Sequence, residues 1–341
     1  MPDPKIRYGN DYRIAIGIEY SYNAGGTEAP VGGAPSATSW ANLEVLPGTL
    51  EIVQNNNKKD TKFKPQSAVP HPYSELVTTK SCTVTYTGEF GLYSKILLDL
   101  WFNQKNPANG IYKMQANPNK TPLSAVIYMI HNDSSATPYT VDKAQGCKLQ
   151  SLVIEGSQIS GFITVTATFE GTIYQRELSQ AITGTDPGME LPEPALFGDV
   201  TANYLAFGAS SYGLESFGLT LNNVFTSDST KYANSRYPAY PLIIGYDGEL
   251  KYTVLFNALG NEVNMDLLDN PAAENVDEIT IILRPGTGQK ELLIKTISIA
   301  TALDKPDPSN DIFKLNYTGK LAASISNDPI AIDASRWIEK P

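Results

Sequence analysis

The sequence predicts a mainly β protein made of two copies of one domain, each with a flanking α-helix. Three observations carry this. Tyrosine dominates the aromatic residues (19 of them, against 11 Phe and 3 Trp), and 26 Gly with 23 Pro punctuate the chain, the composition of strands joined by many turns. Short alternating apolar segments recur along the whole length. The second half repeats the order of segments found in the first.

Residues 1–40 form an arm rich in Gly, Ala, Pro, Ser and Thr, with one strand-like patch at Ile14–Ile18. The first domain spans 41–185. It opens on Leu43–Val53 (LEVLPGTLEIV), broken by Pro47-Gly48. A polar, basic loop is expected from Gln54 to Pro72, then a strand at Cys82–Thr87. In Phe90–Asn103 the period changes: Leu92, Ile96, Leu97, Leu100 and Trp101 line one helix face, the face that packs on a sheet. Lys148–Ile154 and Ile163–Phe169, joined through Glu155–Gly161, read as a hairpin. Residues 186–195 contain Pro187-Gly188 and Pro192-Glu193-Pro194, a linker. The second domain, 196–341, starts with a strand at Tyr204–Phe207.

The two halves align in order. Leu43–Val53 overlays Leu214–Val224 with identities at Leu43/Leu214, Glu44/Glu215, Thr49/Thr220, Leu50/Leu221 and Val53/Val224. Leu76–Thr87 overlays Leu242–Thr253. The helix has a counterpart in Leu259, Val263, Leu267 and Leu268. Lys148–Ile154 follows Leu293–Ile299 in apolar pattern. Val165, Ala167, Phe169, Gly171 and Ile173 follow Phe313, Leu315, Tyr317, Gly319 and Leu321. The extra length of the first half falls mainly within Asn103–Gly146.

Composition removes several classes. No apolar run reaches the ~18–20 residues of a membrane helix, so no membrane partner is expected. The start, Met1-Pro2-Asp3-Pro4-Lys5, lacks the apolar region of a secretory signal. Two cysteines, Cys82 and Cys147, make neither a disulfide framework nor a four-ligand zinc site. They read as small core residues, and assembly in a reducing cytoplasm is expected. With 26 basic and 36 acidic residues the formal charge is −10. That is a poor balance for gripping nucleic acid, though not for lining a path along which it slides.

Candidate chemistry is sparse. The two histidines, His71 and His131, have no G-x-S-x-G nucleophile to serve and read as surface residues rather than a catalytic device. Arg284–Lys290 (RPGTGQK) lacks full phosphate-loop spacing and sits between strand-like segments, as a hairpin turn does. Asp307, Ser309 and Asp311 have calcium-loop spacing without its Gly or distal Glu. Tyr232, Tyr237, Tyr240 and Tyr246, with Arg236, favour a protein interface over a stacking platform for a ligand. No enzymatic activity, cofactor or metal is expected.

A family resemblance lies in segments already quoted. Leu214–Asn223 (LESFGLTLNN), a polar loop, then Pro241–Leu250 (PLIIGYDGEL) resemble the tail tube proteins of long-tailed bacteriophages. Gly146–Gly156 (GCKLQSLVIEG) with Phe162–Gly171 (FITVTATFEG) is similar to that family's hairpin, departing at Tyr174, Arg176 and Glu177, where the family strand usually ends sooner in a basic residue. The resemblance covers roughly residues 40–335. It implies two tandem tail-tube-like β-sandwich or barrel domains and three copies per pseudo-hexameric ring. Rings stack into a tube in the virion tail, around a tape measure protein. Tail terminator and baseplate or tail tip proteins cap it, and double-stranded DNA passes through without tight binding. The loops expected to join rings carry Lys58, Lys59, Asp60, Lys62, Phe63 and Lys64, and Asp228, Lys231, Tyr232, Arg236 and Tyr237. Alternatives are a baseplate hub or distal tail protein, the inner tube of an injection system, and, in another class, a carbohydrate-binding β-protein.

Overall fold

The computed structural model describes residues 12–19, 40–43, 50–60, 75–90, 94–104, 107, 109–114, 123–131, 139–161, 163–180, 204–207, 210–227, 242–255, 278–283, 292–303, 314–321 and 330–334. Among these the fold is mainly β, with sixteen strands and one short helix. No helix among them is long and apolar enough to cross a membrane.

In the first half, β3 (Glu51–Asp60), β4 (Glu75–Glu89), β8 (Ile163–Gly171) and the C-terminal part of β7 (Tyr139–Ser157) pair side by side, all antiparallel. A second sheet covers one face of these four. It consists of β2 (Trp40–Leu43), β1 (Tyr12–Ile18), β6 (Ala125–His131), the N-terminal part of β7, and β9 (Ile173–Gln180). One strand, β7, therefore serves both sheets. It turns between them at Gly146, whose φ of +63° suits glycine, and a Cβ there would strike the Thr172 side chain.

The second half uses the same pairing. Its four-strand sheet runs β11 (Ser210–Phe225), β12 (Ile243–Leu255), β15 (Lys314–Leu321), then the C-terminal part of β14 (Leu292–Leu303). Its covering sheet runs β10 (Tyr204–Phe207), β13 (Glu278–Leu283), the N-terminal part of β14, and β16 (Ile330–Asp333). β11 also reaches β10, as the separate β2 reaches β1. The sequence overlay of Leu43–Val53 on Leu214–Val224 thus sets β2 and β3 against one unbroken strand. β5 (Ile111–Lys113) lies in the expected extra segment of the first half and pairs with β16. β6 lies in the same segment but corresponds to β13, so the extra length is smaller than expected.

Strand pairing also shifts two of the overlays. The part of β14 that pairs β15 is Ser298–Leu303. The counterpart of Lys148–Ile154 therefore lies C-terminal to Leu293–Ile299. Likewise Val84 faces Phe169 as Tyr252 faces Tyr317, so Val84 rather than Tyr86 corresponds to Tyr252. Side-chain direction repeats every two residues, and an even slip leaves an alternating pattern unchanged.

The core lies between the sheets. Val84, Tyr86, Leu152, Val165, Phe169, Leu219 and Leu250 come from the four-strand sheets, and Ile14, Ile16 and Ile127 from the cover. The helix α1 (Lys95–Trp101) is shorter than the expected Phe90–Asn103. The Phe90 N–H still extends β4 by donating to the Ile163 carbonyl, and Asn103 ends the helix at φ 54°, a conformation Asn accepts at a helix C-terminus. Seven residues are too few for a stable isolated helix. Burial of Ile96, Leu97, Leu98, Leu100 and Trp101 holds it in place. The expected second helix (Leu259–Leu268), the linker and the Arg284–Lys290 turn lie outside the described residues. The strands flanking that turn pair Leu283 with Leu292, as a hairpin requires.

Candidate assembly surface

The two four-strand sheets are joined edge to edge. β7 pairs with β11 from Ser157↔Ser216 to Ser151↔Asn222. The result is one continuous run, β3-β4-β8-β7-β11-β12-β15-β14. Strict alternation places one set of side chains in the core and the other on an open face. On β4, Cys82, Val84 and Tyr86 are buried while Thr83, Thr85 and Thr87 are half-buried, and β8 repeats this with Thr164, Thr166 and Thr168.

Cross-strand hydrogen bonds knit this open face. Asn55 Nδ2 donates to Thr83 Oγ1 at 2.9 Å, Thr87 and Thr166 hydroxyls meet at 3.0 Å, and Thr253 Oγ1 donates to Asn316 Oδ1 at 2.9 Å. Among side chains described on this face, the carboxylates of Glu51, Glu89, Glu155, Glu170, Asp247 and Glu249 outnumber the amines of Lys251, Lys320 and Lys148, the last opposite Glu170 and buried. Lys251 is itself paired with Glu249 at 2.5 Å. At the β7–β11 seam the face dips into a trough of about 630 Å³. There Gly218 stands between Glu155 and Lys251 and offers no side chain.

The two outer edges of the run, β3 and the C-terminal part of β14, do not pair with each other among the described residues. Beyond Asn55↔Ser81 the β3–β4 pair leaves the sheet and continues as a two-stranded arm to Asp60↔Glu75. This corrects the loop expected to begin at Gln54. Lys58, Lys59 and Asp60 lie on a strand, opposite Val77, Leu76 and Glu75, because regular pairing overrides the weak β-propensity of Asn and Lys. Lys62, Phe63, Lys64, Asp228, Lys231, Tyr232, Arg236 and Tyr237 lie outside the described residues. Of the tyrosine cluster, Tyr246 is described: its ring packs 5.6 Å from Trp101 of α1 and so ties the two halves together.

Both ends of the run present apolar side chains to solvent. Ile159 is 91% exposed at the tip of the β7–β8 turn, which the Ser157 and Ser160 hydroxyls hold closed. At the opposite end Val224 and Ile244 are half exposed.

A buried carboxylate supports the crossing of β7. Glu19 accepts from Ser124 Oγ at 2.5 Å and from the Gly146 N–H at 3.1 Å. Burial pushes its carboxyl up, against those hydrogen bonds and the nearby charges of Lys148 and Lys143. Nearby, Cys82 and Cys147 are fully buried, and a Cβ on Gly171 would fall 2.5 Å and 3.0 Å from their sulfurs. Burial also raises the Cys147 thiol, the opposite of what a reactive cysteine needs.

No protein-family model matches the chain, and no curated protein matches it in sequence.

Proposed function

We propose that this protein is the tail tube subunit of a long-tailed bacteriophage. Three copies close into a ring, rings stack around a tape measure protein, and the tube conducts DNA. The observation that carries this reading is the eight-strand run and its seam. Inside one copy, β7 of the first half pairs with β11 of the second. The corresponding strands at the outer edges are β14 and β3, and among the described residues both are open on the corresponding sides. The internal seam is a template for an identical seam between copies, a heterologous contact that closes when its rotation divides the circle.

Magnitudes favour closure between copies over closure within one. A barrel of about eight strands is filled by its own side chains, and one of about 16–18 holds an aqueous channel. The open face here is hydroxylated and acidic, so it fits a wet lumen and not a packed interior. Three copies of eight give roughly 24 strands. At about 4.8 Å per strand the circumference is roughly 115 Å and the diameter roughly 37 Å, room for a duplex. An acidic wall repels phosphate, whereas a basic one would hold DNA by counterion release. In this reading the chain catalyses nothing. Its partners are further copies, the tape measure, the terminator, and baseplate or tip proteins, and its place is the virion tail.

Electron microscopy and native mass measurement of the purified protein test this. Three-copy rings or hollow tubes are expected; a monodisperse monomer that binds glycans overturns the reading.

A further inference from the structure

The covering sheets of the two halves differ at one edge. By pairing, β1 corresponds to β10, β4 to β12, β6 to β13, β7 to β14, β8 to β15 and β9 to β16. Among the described residues β5 has no counterpart. It belongs to the first half, where the Tyr112 hydroxyl donates to Asp99 of α1 at 2.7 Å. Yet it adds a strand to the second half. Ala331, Ile332 and Asp333 of β16 face Lys113, Tyr112 and Ile111. The Ala334 N–H to Gly110 carbonyl bond, 2.9 Å, lengthens the ladder. The edge of the second half's covering sheet is thus covered by a strand from the half before it.

The same edge of the first half is β9, and among the described residues it pairs with β7 alone. Its eight residues, Ile173–Gln180, contain neither Pro nor Gly. One irregularity interrupts it, an extra residue between Gln175 and Leu178 opposite Val141–Lys143. On either side Ile173–Gln175 and Leu178–Gln180 pair regularly with β7, each as long as the three-residue β5, and such an open edge is a template for another strand. In a ring, each first half follows the second half of the preceding copy, as the second half follows the first within one chain.

We propose that β9 is a docking edge that receives an extended segment from the second half of the neighbouring copy, as β16 receives β5 within the chain. This rests on the ring reading and adds a second strand junction per subunit boundary, outside the lumen wall. The ring would then be held at two radii, by β14 on β3 at the wall and by this contact behind it.

Hydrogen exchange on the full chain, as free protein and after assembly, tests the idea. Backbone amides of β9 are expected to slow by roughly tenfold or more on assembly, while those of β16, already covered, change little. Two single variants in a regularly paired stretch, Ser179→Pro and Gln180→Pro, supply the second arm. Adjacent N–H groups of a strand point to opposite sides, so one of the two prolines removes an N–H directed away from β7. That variant is expected to keep the free protein's thermal stability and lose assembly. Rings or tubes whose β9 amides exchange as fast as in free protein, or that form normally from both variants, overturn the docking edge and leave the ring reading standing. Failure of the unmodified protein to assemble overturns both.

Discussion

Single residues decide how tightly the sheets close. Gly171 lies beside Cys82 on β4, with Cys147 of β7 on its other flank, and its missing side chain is the space the two thiols occupy. In an open strand, Gly→Ala would gain about 0.5–1 kcal/mol from backbone entropy. Here the added methyl meets sulfur on both sides, and overpacking of that kind costs typically 1–3 kcal/mol. The second effect is larger, so Gly171→Ala is expected to lower the denaturation midpoint; a raised midpoint would sink the packing argument. Glu19 predicts a pH effect. Its carboxyl is held above the ordinary range in the folded chain, so the folded state binds its proton more readily than the unfolded state does. Its contribution to stability falls as pH rises from the ordinary carboxylate value through the raised one, and recovers on acidification. Glu19→Gln removes that slope. Denaturant titrations from mildly acidic to neutral pH are expected to show a flatter profile for the variant, and parallel profiles would refute the assignment.

At the scale of elements, the arm of β3 and β4 stands apart. Within the sheet these strands pair on the β8 side as well, but among the described residues the hairpin from Asn56 to Asp60 has only its own partner. A two-stranded ribbon adds little stability alone, so its length points to contact with something else. Joining Asn55 directly to Ser81 through a tight turn is expected to leave folding unchanged, since every β4–β8 pair from Cys82 to Glu89 remains. Rings are expected to form and long tubes to disappear. Tubes of normal length seen by microscopy would show that stacking needs no arm. The sequence made the alternating strands here legible, at Cys82–Thr87 and Ile163–Phe169 above all. It did not make the arm legible, because Asn55-Asn56-Asn57-Lys58-Lys59-Asp60 reads as loop until the facing strand is known.

At the scale of the molecule, charge on the open face matters more than total charge. Six carboxylates and three amines, one of them the buried Lys148, lie among its described side chains, and they come from strands far apart in the chain. Replacing Glu51, Glu155 and Glu170 together by lysine turns much of the first half's open face basic, which the proposed tube makes its wall. Assembled tubes of the variant are expected to retain duplex DNA at low salt and release it as salt rises, while unmodified tubes retain none. Equal retention by both would remove these carboxylates from the lumen.

The β class, the repeated order of segments and the place of α1 are legible in the amino acids alone, since each depends on local period and composition. The sequence could not set the registers, because a slip of two residues, such as that between Tyr86 and Val84, leaves an alternating pattern unchanged. Nor could it join β7 to β11 or lay β5 on β16. Those pairings are backbone contacts between residues far apart in the chain, and their hydrogen bonds are nearly indifferent to side-chain identity. The folded chain sets them, and with them which edges stay open and which acids share one face.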